Sequence, residues 1–290
     1  NQSSSGADWL DFLAKPLRGS NSEDIFEKLG TITLDEIRLD PIYPLTRKNP
    51  QNNTAPFRTE SAWNTLARID IPDPAAANKQ LLEDLEQGAD GAVIVLQNAS
   101  SAFGFGVHDH ENGFFDELLR QIFVDATHLR FEGFKIEHLE AWSAFCKSRN
   151  YAPNSLSVSL GIDEFTTSTA ADVWRSSDEY ARACFLADGA LWHNRGASAA
   201  QELAFALSQS VEACRCMMNT GLESSEAATF LEAKLSCDAD QFETLSKFRA
   251  MRQLWAHLLD VIGAPQSPLT LHAETSWRMM CRRDPWTNIL

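Results

Sequence analysis

The sequence predicts an α/β fold: a TIM (β/α)8-type barrel, incomplete at about six βα units, behind an N-terminal arm. Three observations predict it. Short apolar runs alternate with longer amphipathic segments, the pattern of a parallel sheet whose strands are joined by helices. Polar and ionisable residues gather just past the apolar runs, where barrels of this kind carry their functional groups. No GxGxxG follows the first run and no GxxxxGK[ST] occurs, which disfavours dinucleotide-binding and P-loop folds.

Residues 1–55 read as an arm and linker, and residues 56–290 as the barrel. Within the arm, "ADWLDFLAKPLRG" is a short amphipathic helix ended near Pro16 and Gly19. "TITLDEIRLDPIYPL" alternates and is rich in β-branched residues, so it forms a strand or small hairpin, and "TRKNPQNNTAPFRT" is an extended connection. "PDPAAANKQLLEDLEQG" opens the rhythm as a helix, with Asp73 at the N-cap, Pro74 at the first helical position and Gly88 as the stop. "GAVIVLQN" is a continuous apolar run, the mark of a strand buried on both faces. "FFDELLRQIF" is helical, "THLRFEG" a strand, and "KIEHLEAWSAFCKSRN" a helix with Ile136, Leu139, Trp142 and Cys146 on one side. "SLSVSLG" and part of "ACFLADGALWHN" are the next strands. "SAAQELAFALSQSVEACRCM" places Leu203, Ala206, Leu207, Val211 and Cys214 at helical spacing. "ATFLEAKLS" is a strand, and the helix "DADQFETLSKFRAMRQLWAHLLDVIG" is capped at Asp238, with Phe248, Met251, Trp255 and Leu258 inward. "LTLHAETSW" is the sixth strand.

The formal net charge of −15 sets an acidic surface that repels phosphate backbones, so no nucleic-acid partner is expected. No apolar run reaches the length of a bilayer span, so no membrane partner is expected either. The six cysteines lack CxxC spacing and read as reduced thiols of a cytoplasmic protein rather than as metal ligands.

At the strand ends the candidates are Gln97, Asn98, Glu132, Asp163, Glu164, Trp192, His193, Lys234, Ser236, His272, Glu274 and Ser276. Alternation puts His272, Glu274 and Ser276 on one face, directed into the barrel, where buried polar groups need partners or a ligand. Glu132 and Asp163 read as caps of the helices that follow them, and His193 with Asn194, Arg195 and Gly196 as a turn. "HDHENG" (108–113) pairs two histidines in a loop without a third ligand, so no metal site is expected.

Several long stretches resemble one family, the coenzyme B12-dependent acyl-CoA mutases, and specifically methylmalonyl-CoA mutase. They are "RIDIPDPAAANKQLLEDLEQGADGAVIVL", "HNRGASAAQELAFALSQSVEACRCM", "DADQFETLSKFRAMRQLWAHLL" and "HAETSWRMMCRRDPWTNIL", with "SEDIFEKLGTITLDEIRLDPIYP" in the arm. The resemblance implies a barrel that holds an acyl-CoA along its axis. It also implies adenosylcobalamin in the holoenzyme, carried by a flavodoxin-like domain whose Asp-x-His-x-x-Gly motif is not found here. The C-terminal βα units and that domain are absent from the sequence, which therefore reads as a truncated or short form.

The departures are as informative. The places of a catalytic Tyr-His pair fall on Ala190 and Leu191. A His-x-Gln-Thr-Ser-Gly run appears as His272, Ala273, Glu274, Thr275, Ser276 and Trp277, and an Arg-Leu-Ser as Lys234, Leu235 and Ser236. A glutamate for a glutamine removes donors and adds a repelling charge, and a tryptophan for a glycine fills space. The resemblance thus implies the small, non-catalytic subunit, the structural partner of a catalytic large subunit in a heterodimer that interconverts methylmalonyl-CoA and succinyl-CoA. No catalytic residue and no cobalamin is expected in this chain alone. Lys234, Ser236, His272, Glu274, Ser276 and His193 are the vestigial substrate-binding candidates. Two alternatives are a catalytically competent barrel working with a separate cobalamin-binding domain, and an unrelated TIM-barrel enzyme using His272 and Glu274 as an acid–base pair.

Overall fold

A computed structural model describes residues 6–14, 21–43, 63–109, 113–176, 180–181 and 183–289. The chain divides into two compact units: residues 1–53 with 198–200, and residues 54–197 with 201–290. The extended connection read between residues 46 and 59, and the histidine of the 108–113 run at position 110, lie outside the described residues.

In the first unit, α1 (Gly6–Ala14) and α2 (Ser22–Leu29) precede a hairpin of β1 (Thr31–Ile32) and β2 (Arg38–Leu39). Asn21 caps α2 by accepting the Asp24 N–H at 2.8 Å, which satisfies one of the orphan donors of the first turn. The two strands are antiparallel, with Thr31 opposite Leu39 and Ile32 opposite Arg38, so the alternating stretch is the expected hairpin.

The second unit is one parallel sheet with helices between its strands. Its strands are β3 (Leu66–Ile69), β4 (Gly91–Val95), β5 (His128–Glu132), β6 (Val158–Ile162), β7 (Ala183–Asp188), β8 (Leu231–Cys237) and β9 (Thr270–Thr275). The helices are α3 (Pro74–Glu86), α4 (Phe114–Leu118), α5 (Glu137–Ser148), α6 (Thr167–Ser176), α7 (Ala190–Asn194), α8 (Ala199–Met218), α9 (Ser224–Ala227) and α10 (Gln241–Ile262). Sheet order follows chain order, β3 to β9, and every pairing is parallel. That is a curled half-barrel, an incomplete TIM-type fold. The six strands the apolar pattern marks are all present, and β3 adds a seventh. It is four residues long with Arg68 inside it, too short and too polar to announce itself. No described helix is long and apolar enough to cross a membrane.

The two faces of the sheet are chemically different because strand residues alternate. The outward face (Ile94, Phe131, Leu160, Phe185, Leu235) packs with Leu81, Trp142, Val173, Met217, Met251 and Trp255 of the helices into the main core. The indole N–H groups there are satisfied, Trp142 donating to the Tyr180 carbonyl and Trp255 to that of Ser267. The inward face is apolar along β4, where Val93 and Val95 meet Leu66, Ala99 and Ala102; Arg68 of β3 shares that face. Along β5 to β9 it is charged.

One glycine fixes the curl. Gly161 has φ +61°, and a Cβ there would lie 2.0 Å from the Phe131 carbonyl oxygen. It sits where the β6–β7 register shifts between Ser159 and Ile162. Gly161→Ala therefore strains the backbone and collides with β5. The expected loss is about 3 kcal/mol of unfolding free energy, read from urea denaturation.

Two local readings are corrected. The N-cap of α10 is Asp240, whose side chain accepts the Glu243 N–H at 2.9 Å; Asp238 lies two residues too early to reach that turn. His193 belongs to the single-turn helix α7 and is buried, because the Asp188 carboxylate accepts the Leu191 N–H at 2.9 Å and starts a helix where a turn was expected.

Candidate functional site

The inner face of β5, β7, β8 and β9 converges on the ammonium of Lys234. Lys234 Nζ lies 3.0 Å from both oxygens of Glu132, 2.9 Å from Asp188 Oδ2 and 3.0 Å from Glu274 Oε2. Pairing explains the convergence: Asp188 stands opposite Lys234 between β7 and β8, and Ser236 opposite Glu274 between β8 and β9. Glu132 is held further by Arg130 and by the Ser101 hydroxyl. Arg130 also donates through Nε to Glu232 at 3.0 Å. Glu132 is therefore not the helix cap that its strand-end position suggested. Its parity with Arg130 turns both side chains inward, away from α5.

Four carboxyl groups (Glu132, Asp188, Glu232, Glu274) thus face two cations (Arg130, Lys234). Burial opposes ionisation of Glu132, but Lys234 and Arg130 outweigh it and hold the carboxyl well below the usual carboxylate range. Burial likewise opposes the charge on Lys234, and Glu132, Asp188 and Glu274 reverse the balance, keeping it protonated above the ordinary lysine value. Burial raises the Glu232 carboxyl despite Arg130. His272 stands opposite Lys234 in the β8–β9 register; burial, then the Arg130 charge, push its imidazole well below the ordinary value and leave it neutral. Arg130 Nη2 is a buried donor with no hydrogen-bond partner among the described residues.

Glu132, His272 and Glu274 place one ligand atom each within 4.8 Å of the others, the spacing of a small metal site. The cation between the two carboxylates is the lysine ammonium itself, and a divalent ion would have to expel it.

A second buried cluster lies behind the first. His193 Nε2 meets Ser276 Oγ at 2.8 Å and Asp238 Oδ2 at 3.2 Å, and its Nδ1 lies 3.4 Å from Glu202 Oε2. Glu202 accepts the Ser236 N–H at 2.6 Å, the Ser236 hydroxyl at 2.9 Å and the Lys247 ammonium at 2.6 Å. Burial opposes its ionisation, yet the bonds from His193 and Lys247 hold its pKa below the ordinary value. Ser276 also accepts the Arg278 N–H at 3.2 Å. The cluster joins α7, α8, β8, α10 and the end of β9.

The six sequence candidates therefore divide. Lys234, His272 and Glu274 enter the first cluster, and His193, Ser236 and Ser276 the second. Gln97 bonds Asp109 at 3.0 Å, Trp192 stacks on Phe205 at 4.1 Å, and Asp163 and Glu164 are exposed; none of these joins a cluster. Sequence reasoning missed Arg130, Asp188, Glu232, Glu202 and Lys247. A signal existed for two: Glu202 lies four residues before the inward Ala206, and Lys247 four before Met251.

Trp277, next after Ser276, is part-exposed. Its ring centroid lies 4.5 Å from that of Phe103, and the Arg68 guanidinium sits 5.6 Å from the same ring. Arg68 is anchored by Asp70 at 2.8 Å and by the Ser101 carbonyl at 2.7 Å.

A family model described as methylmalonyl-CoA mutase matches residues 181–290, from just before β7 to the last residue. The methylmalonyl-CoA mutase small subunit of Streptomyces virginiae is 31% identical over 301 residues, covering 95% of this chain and 47% of that protein. That of Propionibacterium freudenreichii subsp. shermanii is 26% identical over 297 residues, covering 92% of this chain and 45% of that one. The probable methylmalonyl-CoA mutase small subunit of Mycobacterium tuberculosis is 39% identical over 149 residues, covering 47% and 24%. The chain spans about half the length, or less, of these curated relatives. The apolar rhythm, the half-barrel and these likenesses agree: the chain belongs to the methylmalonyl-CoA mutase family.

Proposed function

We propose that this chain is the barrel part of a small, non-catalytic mutase subunit. In this reading it supports a cytoplasmic catalytic large subunit in a heterodimer that interconverts methylmalonyl-CoA and succinyl-CoA with adenosylcobalamin. The observation that carries the reading is the Lys234 ammonium seated among Glu132, Asp188 and Glu274 on the inner face of the sheet. A thioester rearrangement needs unspent donors aimed at the carbonyl and a positive counter-charge for the substrate carboxylate. Here the donors of Lys234 are spent on the chain's own carboxylates, and the surplus negative charge repels an anionic acyl group. Lys234, Ser236, His272, Glu274, Ser276 and His193 are then remnants of a substrate site turned to structural use.

Cobalamin does not fit this set of residues. The Asp-x-His-x-x-Gly signature does not occur in these residues. In this reading the cofactor belongs to the holoenzyme and not to this chain's own residues. The competing reading, a competent barrel served by a separate cobalamin domain, draws on Arg130 Nη2, a buried donor of the cluster with no hydrogen-bond partner among the described residues.

Co-purification with a large subunit and a mutase assay with and without this chain test both. A stable complex with all turnover in the large subunit is the expected result. Turnover of methylmalonyl-CoA by this chain with only a cobalamin domain added would transfer the assignment to the competing reading.

A further inference from the structure

We propose that Glu132, His272 and Glu274 form a divalent-cation site that the chain keeps filled with the ammonium of Lys234, and that shortening this lysine opens the site to an ion. The three residues stand on β5 and β9 and bring one ligand atom each to within 4.8 Å of the others. A cation already sits among the carboxylates: Lys234 Nζ lies 3.0 Å from both oxygens of Glu132 and 3.0 Å from Glu274 Oε2. One imidazole nitrogen and two carboxylates are donors that zinc and cobalt accept.

The histidine sets this trio apart from an ordinary acidic cluster. His272 stands opposite Lys234 in the β8–β9 register, and its ring makes no hydrogen bond among the described residues. Burial and the Arg130 charge keep the imidazole neutral, the form in which its nitrogen ligates. Asp188 is tied by the Leu191 N–H at 2.9 Å and stays outside the trio.

Charge and size decide what enters. Without the ammonium, Glu132, Asp188 and Glu274 face Arg130 alone, and Arg130 is already shared with Glu232 at 3.0 Å. A divalent ion returns the lost positive charge and one more. Oxygens 3.0 Å from the ammonium nitrogen must close to about 2.1 Å from a zinc-like ion, so the shell tightens by roughly 0.9 Å. Glu132 is fixed by Arg130 and Ser101 and serves as the anchor. Glu274 does the closing: its side chain is 15% exposed, which leaves it room to move and gives the ion a way in.

The test titrates Co²⁺, whose visible d–d bands report its ligands, into the full chain as wild type and as Lys234→Ala. The variant should bind one ion at least about 100-fold more tightly than the wild type, and its melting temperature should rise with Co²⁺ while that of the wild type stays put. Adding His272→Ala or, separately, Glu274→Gln should return the affinity to that of the wild type. Equal binding by wild type and Lys234→Ala overturns the proposal, as does binding that neither added substitution weakens. A near-ultraviolet thiolate band would give the ion to Cys237, the neighbour of Ser236, or to another cysteine, and equally sinks it. So does a Lys234→Ala chain that stays unfolded in excess Co²⁺, because an ion that takes the ammonium's place must restore the stability the ammonium supplied.

Discussion

Lys234→Met lowers the unfolding free energy by about 4 kcal/mol at pH 8 and by roughly half as much at pH 5. Methionine fills the lysine's volume, so the loss is electrostatic rather than a cavity. Wild-type Lys234 compensates Glu132, Asp188 and Glu274 at once; when it goes, Glu132 keeps only Arg130 as a counter-charge, and Asp188 and Glu274 lose the ammonium they face. The pH dependence follows from linkage. In the wild type Glu132 ionises below the ordinary carboxylate range, so its contribution is complete above the unfolded value near pH 4.5 and is lost as pH falls through the lower, folded value. Without Lys234 the counter-charge that most lowers the Glu132 carboxyl is gone, its pKa rises, and folding takes up a proton. Stability of the variant therefore recovers as pH falls toward 5, because protonation discharges the surplus. Glu232, already raised by burial, acts in the same sense in both proteins and cancels in the difference. Urea unfolding at the two pH values measures the effect. A loss of equal size at both would show that the lysine serves as packing and not as counter-charge.

The fold was legible because its signals are long. A parallel strand buried on both faces has to be apolar throughout, as Gly91–Val95 is, and a 22-residue helix shows its inward stripe several times over. β3 carried neither signal, since four residues with an arginine among them look like a loop. The site was legible only in part, and the reason is physical. A carboxylate at a strand end has the same sequence context whether it caps the next helix or turns inward. Only the partner across the barrel decides, and for Glu132 that partner is Lys234, 102 residues away. Within the strand there was a usable hint. Arg130 and Glu132 share a face, as do Glu232, Lys234 and Ser236, and ionisable residues at alternate positions of a buried strand require a charged lattice opposite. Trp277 is the converse case. The resemblance marks it as space-filling, and its place between Phe103 and Arg68 shows what it fills.

Glu202→Ala should cost as much as the Lys234 substitution, about 3–5 kcal/mol, although the residue lies within a helix and not on a strand. The carboxylate is wholly buried and accepts from the Ser236 backbone, the Ser236 hydroxyl and Lys247, while facing His193. Removing it strands the Lys247 ammonium, which has Ser236 Oγ at 2.8 Å as its remaining partner, inside the packing of α10 against β8. The damage should be local in origin and long in reach, because the same cluster holds Ser276 at the end of β9. Lys247→Met alone leaves the carboxylate uncompensated and should cost a similar amount. The double variant Glu202→Gln with Lys247→Met keeps an acceptor for the Ser236 N–H and removes both charges. If the pair is a matched charge and not a packing device, the double variant recovers at least half of the loss of Lys247→Met, so the interaction energy across the cycle exceeds about 1 kcal/mol. Strictly additive losses would mean that the two side chains act separately and that no buried ion pair joins α8 to α10.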